Sequence, residues 1–114
     1  MKTRSKIFVL ESETEWEIAG EGMRRQILGY DGQIMLVKVE FEKGAIGKGH
    51  AHFHSQSTYV VSGTFEFHVD GVKQIVKAGD GIYMEPDVFH GAICLEAGVL
   101  IDVFSPMRED FLKK

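Results

Sequence analysis

Apolar and polar residues alternate in short runs along most of this chain, a period of two that is typical of β-strands with one buried face. In the clearest run, residues 34–41, four apolar side chains share one face: Met35, Val37, Val39 and Phe41. A sustained helical period is nearly absent. The pattern therefore predicts an all-β chain in which several short strands enclose one core.

Turn residues separate the remaining strand-like runs. Asp70-Gly71 lies between two of them and predicts a two-residue hairpin. Pro86 and Pro106 both fall in predicted breaks, as strand pairing requires. Residues 13–17 fit an edge strand or a loop, and residues 108–114 fit a final helical turn. The other predicted strands are 58–61, 65–69, 72–76, 82–84, 89–95 and 99–104, a spacing typical of a barrel or sandwich.

Length and charge narrow the class of protein. The 114 residues predict one domain, spanning 1–114. The net charge of −4 gives no electrostatic reason to expect nucleic acid or an anionic membrane as a partner. No stretch approaches the roughly 18 apolar residues that span a bilayer. Cys94 is the one cysteine, which excludes an intramolecular disulfide, and we expect a cytoplasmic protein.

Histidines cluster in the middle of the chain. His50, His52, His54 and Gln56 alternate, so they share one face if the segment is extended, and His90 follows near a predicted turn. A lone histidine is usually a packing or surface residue, but several neutral imidazoles desolvated together need a common partner. Imidazole suits Ni, Zn, Mn and Fe. The cluster therefore predicts one divalent transition-metal ion per chain.

Two spaced motifs around these histidines resemble those of the cupin family. Gly44-(five residues)-His50-x-His52-(three residues)-Gln56-(six residues)-Gly63 is similar to the first cupin motif, with Gln56 where Glu is usual. Gly79-(ten residues)-His90 is similar to the second, with Pro86 one place late, Asp87 for Gly and Cys94 for Asn. The resemblance implies a single-domain cupin, a double-stranded β-helix or jelly-roll barrel with a short C-terminal helical turn. It also implies four metal ligands: His50, His52, Gln56 and His90.

The other two histidines are given different roles. The resemblance suggests that His54 lies in a turn and forms a wall of the pocket rather than a ligand. His68 alternates with Phe65, Phe67 and Val69, so we expect it on a solvated strand face.

Gln56 is neutral and leaves the charge of a divalent ion at about +2, which favours Lewis-acid chemistry on an anionic substrate.

Asp102 and Phe104 have the same parity near the end of the last predicted strand. If their face is the barrel interior, Asp102 is a buried carboxylate, and buried aspartates are uncommon unless paired or functional. Arg108 follows just past the strand and would lie at the barrel mouth. A polar strand end with a solvated arginine explains the same residues equally well.

Most of the chain resembles the small KdgF-type cupins of pectin and alginate breakdown. The similar segments are Trp16, residues 21–28 (Glu-Gly-Met-Arg-Arg-Gln-Ile-Leu), residues 35–39, residues 59–67, and the Asp-x-Phe-Ser-Pro-x-Arg-x-Asp-Phe ending at 102–111. Phe53-His54-Ser55 departs from the usual Pro-His-Glu. The resemblance implies that Asp102, Phe104 and Arg108 are active-site residues and that a small sugar acid is the substrate.

The implied reaction is metal-dependent ring opening of 4,5-unsaturated uronate monosaccharides to 4-deoxy-5-keto uronates. Asp102 would transfer protons, Arg108 would hold the carboxylate or a hydroxyl, and Phe104 would pack against the sugar or fix the Asp102 rotamer. A homodimer is expected, because small barrels often pair. A metal dioxygenase and a non-catalytic sugar-binding barrel are the alternatives, since one fold hosts many functions.

Overall fold

The computed structural model describes residues 4–112, and within them the all-β prediction is confirmed. A 3-10 segment, Glu11–Glu13, precedes the first strand. Eight strands and one helix follow: β1 Glu17–Gly20, β2 Met23–Asp31, β3 Ile34–Phe41, β4 Ile46–His50, β5 Ser55–Val69, β6 Val72–Lys77, β7 Gly81–Met84, β8 His90–Ser105 and α1 Glu109–Leu112. The predicted helical turn is confirmed at α1, and residues 113–114 lie outside the described part. No helix within residues 4–112 has the length and apolar character needed to cross a bilayer.

The named strands pair antiparallel throughout. The two long strands, β5 and β8, pair with each other and with most of the other strands. The C-terminal half of β8 pairs with β3, which continues to β2 and β1, while the N-terminal half pairs with β4. The N-terminal part of β5 pairs with β7, and its C-terminal part pairs with β6. The sheet therefore folds over on itself along β5 and β8 and encloses a single interior.

The strands predicted at 58–61 and 65–69 form one strand, β5, and those predicted at 89–95 and 99–104 form one strand, β8. The separations between them, around Gly63 and at residues 96–98, are therefore wrong. β5 and β8 are continuous there, with register irregularities on β5 between Val60 and Phe65. Gly63 has φ +85°, and a Cβ atom at this position would lie 2.6 Å from the carbonyl oxygen of Glu96. The glycine is therefore a bend that lets two strands pass closely rather than a strand terminus.

Two local predictions have clear outcomes. Asp70 and Gly71 both have positive φ, +51° and +82°, which a type I′ hairpin turn requires, so the hairpin between β5 and β6 is confirmed. Residues 13–17 do not form one element: the 3-10 segment ends at Glu13, and the edge strand β1 begins at Glu17.

The inner face of the barrel carries the apolar core and a polar end. The four alternating residues of β3 (Met35, Val37, Val39 and Phe41) are all buried, as predicted. The register places Val37 beside Asp102, and Asp102 beside Thr58, so the row that begins apolar on β3 becomes polar on β8 and β5. The fold thus directs polar side chains of β5 and β8 into the same interior.

Candidate functional site

The histidines reach the site from a turn rather than from one extended strand. β4 ends at His50, the chain turns over residues 51–54, and β5 begins at Ser55. Residues 50–56 are therefore not one extended segment: β4 pairs with the N-terminal end of β8, whereas the start of β5 pairs with β7 and with the C-terminal end of β8. His90 begins β8 and is the direct register partner of His50.

Three imidazoles converge nevertheless. One ring nitrogen from each of His50, His52 and His90 lies within 4.8 Å of the others. Their ring centroids are 4.6 Å apart for His50 and His90, 5.0 Å for His52 and His90, and 5.1 Å for His50 and His52. At this spacing, one metal ion can contact all three ring nitrogens.

Backbone carbonyls orient all three rings in the same way. Nδ1 of His50 lies 3.0 Å from the Lys48 oxygen, Nδ1 of His52 lies 3.2 Å from the His54 oxygen, and Nδ1 of His90 lies 3.0 Å from the Val88 oxygen. A carbonyl oxygen can only accept a hydrogen bond, so each Nδ1 must carry the proton. The lone pair of each ring then lies on Nε2 and is available to a metal ion. This arrangement is typical of metal-ligating histidines.

Gln56 supplies a fourth candidate ligand atom, an oxygen, beside the three ring nitrogens. Its side chain is buried, its Oε1 lies 3.0 Å from Nε2 of His52, and its Nε2 donates to Oγ1 of Thr58 at 3.1 Å. With the proton of His52 on Nδ1, the lone pair of its Nε2 and Oε1 of Gln56 face each other at 3.0 Å, an arrangement that a shared cation would satisfy. Nε2 of His90 is also buried without a hydrogen-bond partner among the described residues. The residues present therefore fit a metal ion.

Burial favours the neutral form of two of these rings, His52 and His90. Burial lowers the pKa of His90 to about 4, with backbone hydrogen bonding to Val88 opposing the shift. Burial also lowers the pKa of His52, and the nearby Arg108 charge adds to that effect. Neutral imidazole is the form that ligates a metal, so at neutral pH little proton competition opposes binding.

His54 and His68 stay outside the cluster. His54 is buried, stacks on Phe53 with ring centroids 4.0 Å apart, and lies 6.4 Å from the Phe104 ring, and its expected role as a pocket wall stays a prediction. His68 faces away from the core but is only partly exposed, because its ring packs 5.6 Å from that of Phe89. The solvated face expected for His68 is therefore partly covered.

A hydrogen-bonded chain joins Gln56, which lies beside the histidine cluster, to Asp102. Thr58 accepts a hydrogen bond from Gln56 and donates one to Oδ1 of Asp102 at 2.6 Å. Burial raises the pKa of Asp102, while hydrogen bonds from Thr58 and Gln56 act in the opposite direction. Sequence reasoning missed Thr58, although its parity with Gln56 on β5 would have indicated an inward side chain.

The candidate catalytic residues line one cavity of about 980 Å³ together with His50, Gln56 and His90. Phe104 is buried, and the Cζ atom of Arg108 lies 5.1 Å from its ring centroid. The Arg108 side chain is only 14% exposed and makes two hydrogen bonds to Asp110, at 3.0 and 2.9 Å. Asp102 faces this interior, so the reading of a polar strand end with a solvated arginine is wrong.

Comparisons with known proteins agree with this geometry. The model of the cupin domain family matches residues 37–104. The chain is 45% identical over 107 residues to the pectin degradation protein KdgF of Dickeya dadantii, covering 92% of this chain and 97% of that protein.

Two solved structures are similar over nearly the whole chain. An RmlC-like cupin from Shewanella frigidimarina has a TM-score of 0.94 and 49% identity, covering 96% of this chain and 99% of the other. KdgF from Halomonas sp. has a TM-score of 0.89 and 36% identity, covering 94% and 99%. The fold, the converging histidines and these matches together show that the chain belongs to the cupin family and, within it, to the KdgF group.

Proposed function

We propose that this protein opens the ring of 4,5-unsaturated uronate monosaccharides to give 4-deoxy-5-keto uronates during pectin or alginate breakdown. One observation carries the proposal: a carboxylate, Asp102, lines the same cavity as His50 and His90 and is linked by hydrogen bonds through Thr58 to Gln56, whose Oε1 lies 3.0 Å from Nε2 of His52. The relative in Dickeya dadantii is described as a pectin degradation protein, which supports the same class of substrate.

His50, His52, Gln56 and His90 would hold one divalent ion, Ni, Zn, Mn or Fe. When bound, that ion supplies Lewis acidity that favours negative charge developing on a substrate oxygen. The orientation of Gln56 serves this role, because Thr58 accepts from its amide nitrogen and so turns its carbonyl oxygen toward His52. A neutral amide also subtracts no charge from the site.

Asp102 moves the protons. Ring opening removes a proton from the hydroxyl on C1, breaks the bond between C1 and the ring oxygen, and adds a proton at C4, so the product is an isomer of the substrate. Thr58 holds Oδ1 of Asp102 by a hydrogen bond, and we assign the transfer to Oδ2. Burial raises the pKa of this carboxyl above its ordinary value, the direction that favours general acid–base catalysis by a carboxyl group.

Arg108 and Phe104 position the sugar. A guanidinium presents a planar fork that matches a carboxylate, and Arg108 would exchange its exposed partner Asp110 for the substrate carboxylate or a hydroxyl. Phe104 is fixed between the rings of His52 and Phe111, 5.9 Å and 5.7 Å away, and offers an apolar surface to the sugar. Holding the substrate in this way converts proton transfer into a near-intramolecular step.

Product analysis in D₂O distinguishes this reaction from the oxidative alternative. The metal-loaded protein should convert unsaturated galacturonate or mannuronate to the linear keto acid with one deuteron introduced at C4 and no oxygen consumed. Oxygen uptake coupled to product formation would favour a dioxygenase. Binding of the sugar without any product would favour a non-catalytic sugar-binding barrel.

A further inference from the structure

Two adjacent arginines on β2 point to opposite faces of the sheet. Arg24 faces outward, where its Nε donates to Glu40 at 2.8 Å and its Cζ atom lies 3.8 Å from the centroid of the Trp16 ring. Arg25 faces inward, in register with Val39, which is part of the buried core. The barrel interior therefore contains a guanidinium in addition to that of Arg108.

Burying the guanidinium of Arg25 at this position costs desolvation free energy. Its side chain is 21% exposed, and its Nε donates to Glu17, its register partner on β1, at 3.1 Å. Partly buried ion pairs are often no more stable than well-packed apolar residues, and Met23 and Ile27 are apolar at the neighbouring inward positions of β2. Packing alone therefore does not explain a charged residue here.

Arg25 shares its surroundings with Arg108. The Cζ atom of Arg25 lies 3.7 Å from the Phe111 ring centroid, and that of Arg108 lies 4.3 Å from the same centroid. Both side chains line the cavity that contains His50 and Asp102. Glu17 and Asp110 each offset one of these two guanidinium charges, and an anion that contacts both groups would be attracted by both.

We propose that Arg25 is a specificity-determining residue that binds the carboxylate of the sugar acid together with Arg108. The inference rests on the proposed function in one respect, the class of ligand. A guanidinium has five N–H donors, and the Nε hydrogen bond to Glu17 uses one of them. Glu17 and Phe111 hold the group in place, so little side-chain entropy is lost when a carboxylate binds.

The test compares an acidic sugar with its neutral counterpart. The affinities of galacturonate and galactose are measured by ligand-observed NMR on the metal-loaded wild type, Arg25→Met, Arg25→Lys and Arg24→Met. Arg25→Met should weaken galacturonate binding by about 10- to 100-fold and leave galactose unchanged, because only the carboxylate loses a charge-assisted pair. Arg25→Lys should give a smaller loss, since it keeps the charge without the fork. Arg24→Met, the outward-facing control, should match the wild type.

Other outcomes overturn the proposal. Equal losses for galacturonate and galactose in Arg25→Met would mean that Arg25 only shapes the cavity, and an unchanged galacturonate affinity would remove it from the site. If circular dichroism shows that Arg25→Met is unfolded, Arg25→Lys decides, because its acid-to-neutral ratio must fall. A wild type that binds both sugars equally would also refute the role.

The binding comparison and the proposed reaction can fail separately. Turnover is measured by the decay of the unsaturated-uronate chromophore. Galacturonate and galactose lack this chromophore, so their binding is measured independently of turnover. A wild type without turnover would therefore refute the ring-opening function while the binding ratios still report on Arg25. For an active wild type, Arg25→Met should raise KM more than it lowers kcat, as expected for a binding group.

Discussion

Replacing Asp102 with asparagine separates proton transfer from structure. Asparagine has nearly the size of aspartate, and its side-chain oxygen can still accept the hydrogen bond that Thr58 donates to Oδ1 at 2.6 Å. The amide cannot gain and lose a proton near neutral pH. Asp102→Asn should therefore keep the fold and the metal while losing most of the ring-opening activity.

In Asp102→Asn the expected loss of stability is much smaller than the expected loss of activity, so the two effects can be measured separately. Exchanging a charged hydrogen-bond acceptor for a neutral one costs about 1 kcal/mol, and removing a buried charge offsets part of that cost. For a domain of 114 residues, about 1 kcal/mol corresponds to roughly 4 °C in Tm, so the Tm of the variant should lie within about 4 °C of that of the wild type. General acid–base catalysis is worth about 10²- to 10⁴-fold, or roughly 2.7–5.4 kcal/mol of barrier.

Thr58→Val is the matched control. It keeps the shape of the side chain but leaves Oδ1 of Asp102 and the amide of Gln56 without the partner they have in the wild type. Each buried unsatisfied group costs about 1–3 kcal/mol, so this variant should be less stable than Asp102→Asn yet more active, because it retains the carboxylate. Chromophore decay, metal content and thermal melting are measured for both. Asp102→Asn activity within a few-fold of the wild type at full metal content would refute the assignment of proton transfer to Asp102.

Three further variants test the ligands and the fold. His90→Ala should lose most of the bound metal, measured by elemental analysis, because a two-histidine remnant with one amide binds weakly; full metal retention would contradict the ligand assignment. Gln56→Glu should retain or tighten the metal and slow chromophore decay, because the added negative charge reduces Lewis acidity, and an unchanged or faster rate would show that Lewis acidity is not limiting. Gly63→Ala should lower Tm by several degrees or prevent folding, because its Cβ would lie 2.6 Å from the Glu96 oxygen at a positive φ; a wild-type Tm would refute the steric account of the bend.

The sequence was informative where one residue's neighbours along the chain determine its environment. Alternation identified the inward residues of β3, and the Asp70-Gly71 dipeptide identified its hairpin, because both depend on local geometry. The breaks predicted near Gly63 and at residues 96–98 were wrong because a glycine that bends a strand looks the same in sequence as one that ends it.

The site required contacts between distant segments. Pairing of His90 with His50, and the carbonyls that orient the rings, depend on how β4 and β8 meet. Thr58 was missed because its role depends on facing Asp102 across two strands, and the difference between Arg24 and Arg25 depends on the register of β2. The metal ligands and the catalytic residues remain predictions from spacing and resemblance, now supported by their convergence.

The central claim is tested most directly by the ultraviolet absorbance of unsaturated galacturonate and unsaturated mannuronate incubated with the wild-type protein. Metal-loaded protein should accelerate loss of the conjugated C4=C5 chromophore for at least one of the two sugars. Metal-stripped protein should not, and restoring the metal should restore the rate. If fully metal-loaded protein never accelerates that decay for either sugar, the ring-opening account is wrong and a sugar-binding role becomes the better explanation.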